Sequence, residues 1–153
     1  MKYFVVLVCL AGITVFFESC KRSGGRSDTT NFPSILGTWE LKQAQNGMIP
    51  TTDYAPGNGN IFRFSDSGYE KYTNGNLSKK GQYSILNDSS VTAEVGLVIP
   101  SGEFTNRIIF DGDLTSPKTF IQVSKNNSLI FLSGFFPLDG GSRLLYEKKE
   151  VQR

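Results

Sequence analysis

The stretch Asn60-Ile61-Phe62-Arg63-Phe64-Ser65-Asp66-Ser67-Gly68-Tyr69-Glu70-Lys71-Tyr72-Thr73 decides the fold class. Side chains in a strand point alternately to opposite faces, so Phe62 and Phe64, with Arg63 between them, belong to one face of an extended segment. Asp66-Ser67-Gly68 supplies turn residues, and the chain from Tyr69 to Thr73 is rich in aromatic and β-branched side chains. Two strands joined by a turn follow from this pattern.

Similar patterns recur outward in both directions. Residues 35–44 alternate around Trp39 and Leu41, residues 80–86 put Tyr83 and Ile85 on one face, and residues 91–99 are more continuously apolar. Residues 104–110, 119–124, 128–133 and 143–149 complete the series, with Asn74-Gly75, Asn87-Asp88, Pro100-Ser101-Gly102 and Asn126-Asn127 as turn signals. No run of ten or more residues after Ile35 carries apolar positions at helical spacing. Short strands at such regular spacing predict an all-β antiparallel domain, either a sandwich or a barrel. The count is nine, whereas an up-and-down barrel closes on an even number, so a missed strand or a bent pair read as one is expected.

Upstream of this domain, residues 3–17 form an unbroken apolar or small run after Lys2. Fifteen helical residues reach about 22 Å, short of the roughly 30 Å hydrocarbon core, so residues 1–19 are expected to be a secretory leader rather than a membrane span. Residues 20–34 begin with Cys20 and continue in a polar, Gly- and Ser-rich stretch with nothing to bury, as in a tether. The domain proper is placed at residues 35–153.

Composition narrows the chemistry. The 153 residues contain no histidine and two cysteines, one of them inside the leader, so a His-based triad, a His-ligated zinc site and an internal disulfide framework are excluded. Asp111-Gly112-Asp113 pairs two carboxylates, but it lacks the spacing of a calcium loop and reads as a turn. No nucleophile elbow, phosphate loop or metal cluster occurs, so no catalytic residue, metal or cofactor is expected and the chain is read as non-enzymatic. Net charge is +2 with cations scattered along the chain, which points away from nucleic acid.

Two resemblances add to this. Phe17-Glu18-Ser19-Cys20 resembles a bacterial lipoprotein lipobox, of the looser kind found in the Bacteroidetes, with Ser19 as the small residue before the cut and Cys20 as the acylated cysteine. A lone thiol at such a junction in an oxidising compartment makes better sense acylated than free. The sorting rules for such lipoproteins imply an outer-membrane anchor facing the periplasm, because an aspartate after Cys20 and an acidic export stretch are both missing. Leu36-Gly37-Thr38-Trp39-Glu40-Leu41 is similar to the Gly-x-Trp opening of lipocalins and the wider calycin group. The long connection after it, the segment Ile61 to Tyr69, Gly81-Gln82-Tyr83-Ser84-Ile85 and the closing Leu144-Leu145-Tyr146-Glu147-Lys148 follow in the order of small lipocalin-like lipoproteins of the Bacteroidetes. This likeness implies an up-and-down barrel of about eight strands, Gly37 and Trp39 in structural roles, and a cation from Arg143, Lys148 or Lys149 over the indole.

In function, the likeness implies a carrier of a small apolar or amphipathic molecule. Candidate ligand-binding residues inside the barrel are Phe62, Phe64, Tyr72, Tyr83, Phe110, Phe120, Phe131 and Tyr146. The connection at residues 45–59, with Met48, Ile49 and Tyr54, is a candidate lid over the mouth. An eight-stranded barrel is just wide enough to be filled by its own side chains or to hold one small ligand, and spacing alone leaves both open. The alternative function is a filled barrel serving as a protein-interaction module, a periplasmic inhibitor or an accessory subunit of an envelope complex. Gly134-Phe135-Phe136-Pro137-Leu138 bears on this: tucked under the barrel it is structural, whereas exposed it is a partner or membrane contact.

Overall fold

A computed structural model describes residues 33–66 and 68–150. The leader, Cys20 and nearly all of the tether lie outside the described residues. Ten strands belong to one antiparallel sheet: β1 (Gly37–Asn46), β2 (Thr52–Asp53), β3 (Ile61–Ser65), β4 (Gly68–Thr73), β5 (Asn76–Gly81), β6 (Tyr83–Asn87), β7 (Asn106–Phe110), β8 (Thr119–Val123), β9 (Ser128–Ser133) and β10 (Ser142–Lys148). The order is β5-β4-β3-β1-β10-β9-β8-β7-β6, with the two-residue β2 added beside β1. The first and last segments come together through β1 and β10, from Trp39 opposite Lys148 to Asn46 opposite Ser142. The result is a nearly closed barrel with one unsealed seam, between β5 and β6.

The seam explains why nine strands lie along the sheet path, whereas the odd count read from the sequence comes from residues 91–99. Eight antiparallel steps separate β5 from β6 around the sheet, so the two run in the same direction. Only Gln82 separates them in the chain, so residues 76–87 form one bent strand whose first half pairs with β4 and whose second half pairs with β7. Counted this way the barrel has eight strands, apart from the short β2. The ninth segment expected from the sequence, residues 91–99, is not a strand. It opens with a five-residue helix, α1 (Val91–Val95), followed by a loop.

The helix covers the outer face of β8 and β9, where Phe120 and Leu132 present apolar side chains. Val91 and Val95, four residues apart, face the same way and bury against Phe104, Phe120, Leu132 and Phe136. Gly96 then ends the helix in a left-handed conformation at φ +69°, which glycine adopts without strain. The main core lies inside the barrel and contains Ile35, Trp39, Leu41, Phe62, Phe64, Tyr69, Ile108, Ile121, Leu129, Phe131 and Tyr146. Trp39 is fully buried, donates its indole N–H to the Ile35 carbonyl at 2.6 Å, and has the Lys148 ammonium 5.3 Å from its ring. Of the three cations expected over the indole, Lys148 is the one in place.

Candidate functional site

The barrel interior is occupied by rings. Phe62 is central: its ring lies 5.3 Å from Phe64, 5.9 Å from Phe110, 5.4 Å from Phe131 and 5.5 Å from Tyr146. These separations are those of direct aromatic contact. Tyr83 packs edge-on to Phe64 at 5.1 Å and, like Phe110, is only partly buried. Burial, with Tyr54 beside it, holds the Tyr146 phenol well above its ordinary pKa. Two hollows, of about 360 and 350 Å³, are open grooves: one is lined by the α1–β7 loop and β8–β10, the other by β3, β4 and the end of β5.

Six of the eight candidate ligand-binding residues therefore gather in or against the barrel core, and two lie elsewhere. Tyr72 is on the outer surface, where its hydroxyl donates to Glu70 at 2.9 Å and the Arg63 guanidinium lies 4.7 Å over its ring. Its displacement follows from alternation: Tyr69 and Tyr72 are three residues apart, so a strand that points Tyr69 inward points Tyr72 outward. Phe120 is fully buried but faces α1, because its neighbour Ile121 takes the inward position on β8.

The long connection after β1 runs beside that strand. Thr52 and Asp53 pair with Ala44 and Gln43, and the Asn58 amide donates to the Leu41 carbonyl at 2.9 Å. Tyr54 packs against the core, whereas Met48 and Ile49 are exposed. Phe136 is tucked against α1, whereas Phe135 is 40% exposed.

Exposed apolar side chains converge at one end of the barrel, which the sequence did not reveal. Asn46, Ser142 and Ser133 are register neighbours, so the β1–β2 loop and the β9–β10 loop leave the sheet together. They are joined by the Gly47 N–H to Gly141 carbonyl bond at 2.6 Å and by Met48 N–H to Asp139 Oδ1 at 3.3 Å. The segment after α1 reaches the same place, since a Cβ on Gly96 would lie 2.6 Å from both the Phe135 and Pro137 rings. Met48, Ile49, Val98 and Leu138 are 70, 58, 97 and 80% exposed, and with Phe135 they make up five large apolar side chains on three adjoining loops. Hydropathy along the chain could not find them, because the loops that carry residues 48, 98 and 138 are brought together only by the barrel.

At the seam, the Asp111 carboxylate accepts the Tyr69 hydroxyl at 2.9 Å and the Gln82 N–H at 3.0 Å, with Lys79 Nζ at 3.2 Å. The Tyr69 hydroxyl, together with Lys79 and the Gln82 amide, holds the Asp111 pKa below its ordinary value despite the opposing effect of burial. Asp113 turns back on itself, accepting from the Thr115 and Ser116 hydroxyls at 2.7 and 2.5 Å, so the Asp-Gly-Asp segment is a turn. Among the described residues no three potential metal ligands gather, and no helix is long and apolar enough to cross a membrane. Compared with protein-family models, curated proteins and solved structures, the chain gives no match.

Proposed function

We propose that this protein is a non-catalytic, lipocalin-like module of the bacterial cell envelope, anchored through an acylated Cys20 and docking a protein partner with its apolar loop end. The observation that supports docking most is the exposure of Met48, Ile49, Val98, Phe135 and Leu138 on three adjoining loops. Large apolar groups gathered on an exposed surface mark interaction sites. The filling of the barrel by Phe62 and the rings around it favours this role over transport of a ligand inside the barrel.

The end at which the chain enters the domain favours a protein over the bilayer as the occupant. The chain enters the domain near Gly102 and Val123, at the Gly37 end of β1, whereas the apolar loops leave from the Asn46 end. Ten strand residues place these ends about 30 Å apart. An anchor upstream of Pro33 would join the barrel at the end opposite the apolar loops, which favours their facing away from the membrane.

Photo-crosslinking amino acids placed at Val98 and Leu138, with Leu114 as the exposed control, test this in native cells. One discrete protein adduct shared by positions 98 and 138, absent at 114, and lost on Met48→Asp is the expected result. Lipid adducts, a crosslink to a second copy of this chain, or no discrete adduct would overturn it. Cys20→Ser is expected to release the protein from the membrane fraction, and unchanged retention would remove the anchor.

A further inference from the structure

The β4–β5 hairpin places two like charges opposite each other on its inward face. Lys71 and Lys79 are direct register partners, as are Tyr69 and Gly81 two residues along. On the other face of the same hairpin Glu70 is opposite Lys80 and pairs with it at 3.5 Å, the complementary arrangement. Like charges directly opposite across an antiparallel pair are destabilising. Asp111 offsets only one of the two inward lysines: it lies 3.2 Å from Lys79, and among the described residues Lys71 forms no ion pair. Lys71 Nζ instead lies 5.6 Å over the Phe62 ring.

Between these lysines and the barrel core is a hollow of about 150 Å³, lined by Phe62, Tyr69, Lys71, Lys79 and Phe110. The hollow is open to solvent and about large enough for a benzene-sized group. Phe62 and Phe110 are near-parallel at 5.9 Å, and Tyr69 meets Phe110 edge-on at 4.6 Å, so the floor is aromatic while the rim carries two cations and one carboxylate. The hollow lies at the unsealed seam, where β5 lacks a partner on one side. From this arrangement we infer that the seam is a binding site for a small monoanionic amphipath: a carboxylate between Lys71 and Lys79 attached to an apolar body of about one aromatic ring. The carboxylate supplies the charge that the Lys71–Lys79 pair lacks, and the ring covers the exposed edge of Phe110. This site is separate from the apolar loop end and does not depend on it.

Phenylacetate is the probe, titrated into the full chain in nonionic detergent and followed by calorimetry and by the aromatic NMR shifts of Phe62 and Phe110. Saturable binding is expected, weakened about tenfold both by Lys71→Gln and by replacing the probe with uncharged phenylacetamide. Lys80→Gln, on the outer face, should leave the affinity unchanged. Lys71→Gln should also melt no lower than the parent without ligand, because it relieves the like-charge pair. No saturable binding, equal affinity for the amide, undiminished binding by Lys71→Gln, or an equal loss in Lys80→Gln would each overturn the site.

Discussion

Trp39 joins three parts of the barrel at one residue. Its ring is packed in the core, its N–H is satisfied by Ile35, and its outer edge lies beneath Lys148 from the neighbouring β10. Gly37 makes this possible: at φ +119° it adopts a backbone that side chains rarely take, and a Cβ there would lie 3.2 Å from Lys148 Cε. Trp39→Ala removes a fully buried ring and leaves a cavity, so a loss of about 3 to 5 kcal/mol is expected in urea denaturation. Gly37→Ala should lower the Tm by less, through backbone strain and displacement of Lys148. Both residues were legible in the sequence, because Gly-x-Trp and the closing lysines are local patterns. The partners of Asp111 were not, since Tyr69 and Lys79 lie 42 and 32 residues away and meet it only when the bent strand closes the seam.

Elements differ in how far local pattern determines them. The hairpin of β3 and β4 forms where its alternating aromatics place it, with Phe64 opposite Tyr69. Residues 91–99 mislead because their β-branched, apolar composition suits a strand, while the spacing of Val91 and Val95 and the stop at Gly96 are short signals easily outweighed over so few residues. What fixes α1 is remote. Asp88 lies 3.4 Å from Arg107 Nε and 3.3 Å from Lys118 Nζ, and Lys118 reaches Glu94 of the helix at 2.8 Å. Burial alone would raise the Asp88 pKa, but the Ser90 hydroxyl and N–H, with Lys118, more than offset it and leave it below the ordinary value. A carboxyl whose folded pKa lies below its unfolded value of about 3.9 contributes stability above that pH and loses it as pH falls through the folded value. Asp88→Asn should therefore cost about 2 kcal/mol at neutral pH, flatten the acid limb below about pH 4, and expose Phe120 and Phe136 to a hydrophobic dye. An unchanged acid limb would show that α1 is held by apolar contact alone.

Over the whole molecule, closure sets both the stability gradient and the positions of the candidate sites. The sequence carried the all-β class and the eight-strand count once residues 91–99 are set aside, but it could not carry the seam. A bend at Gln82 leaves no trace in alternation, because Lys80, Gln82 and Ser84 keep the period of two across it. Nor could it tell a filled barrel from an open one, which depends on how many rings the curvature brings around Phe62. The seam has a consequence for dynamics. Strands β1, β8, β9 and β10 are paired on both sides and contribute Trp39, Ile121, Leu129 and Tyr146 to the core, whereas β5 is exposed along nearly its whole length and bonded on one side only. Local opening is cheapest where backbone hydrogen bonds face solvent and few apolar contacts resist it. Amide exchange is therefore expected to be fastest, among the long strands, in residues 76–81 and slowest in residues 129–132 and 144–146. Asp111→Asn, which weakens the contacts to Tyr69, Lys79 and Gln82, should speed exchange in β5 and at Gln82 while leaving β9 protected. Equal acceleration around the barrel would mean that the sheet opens as one cooperative unit, with Asp111 supporting the whole fold rather than its seam.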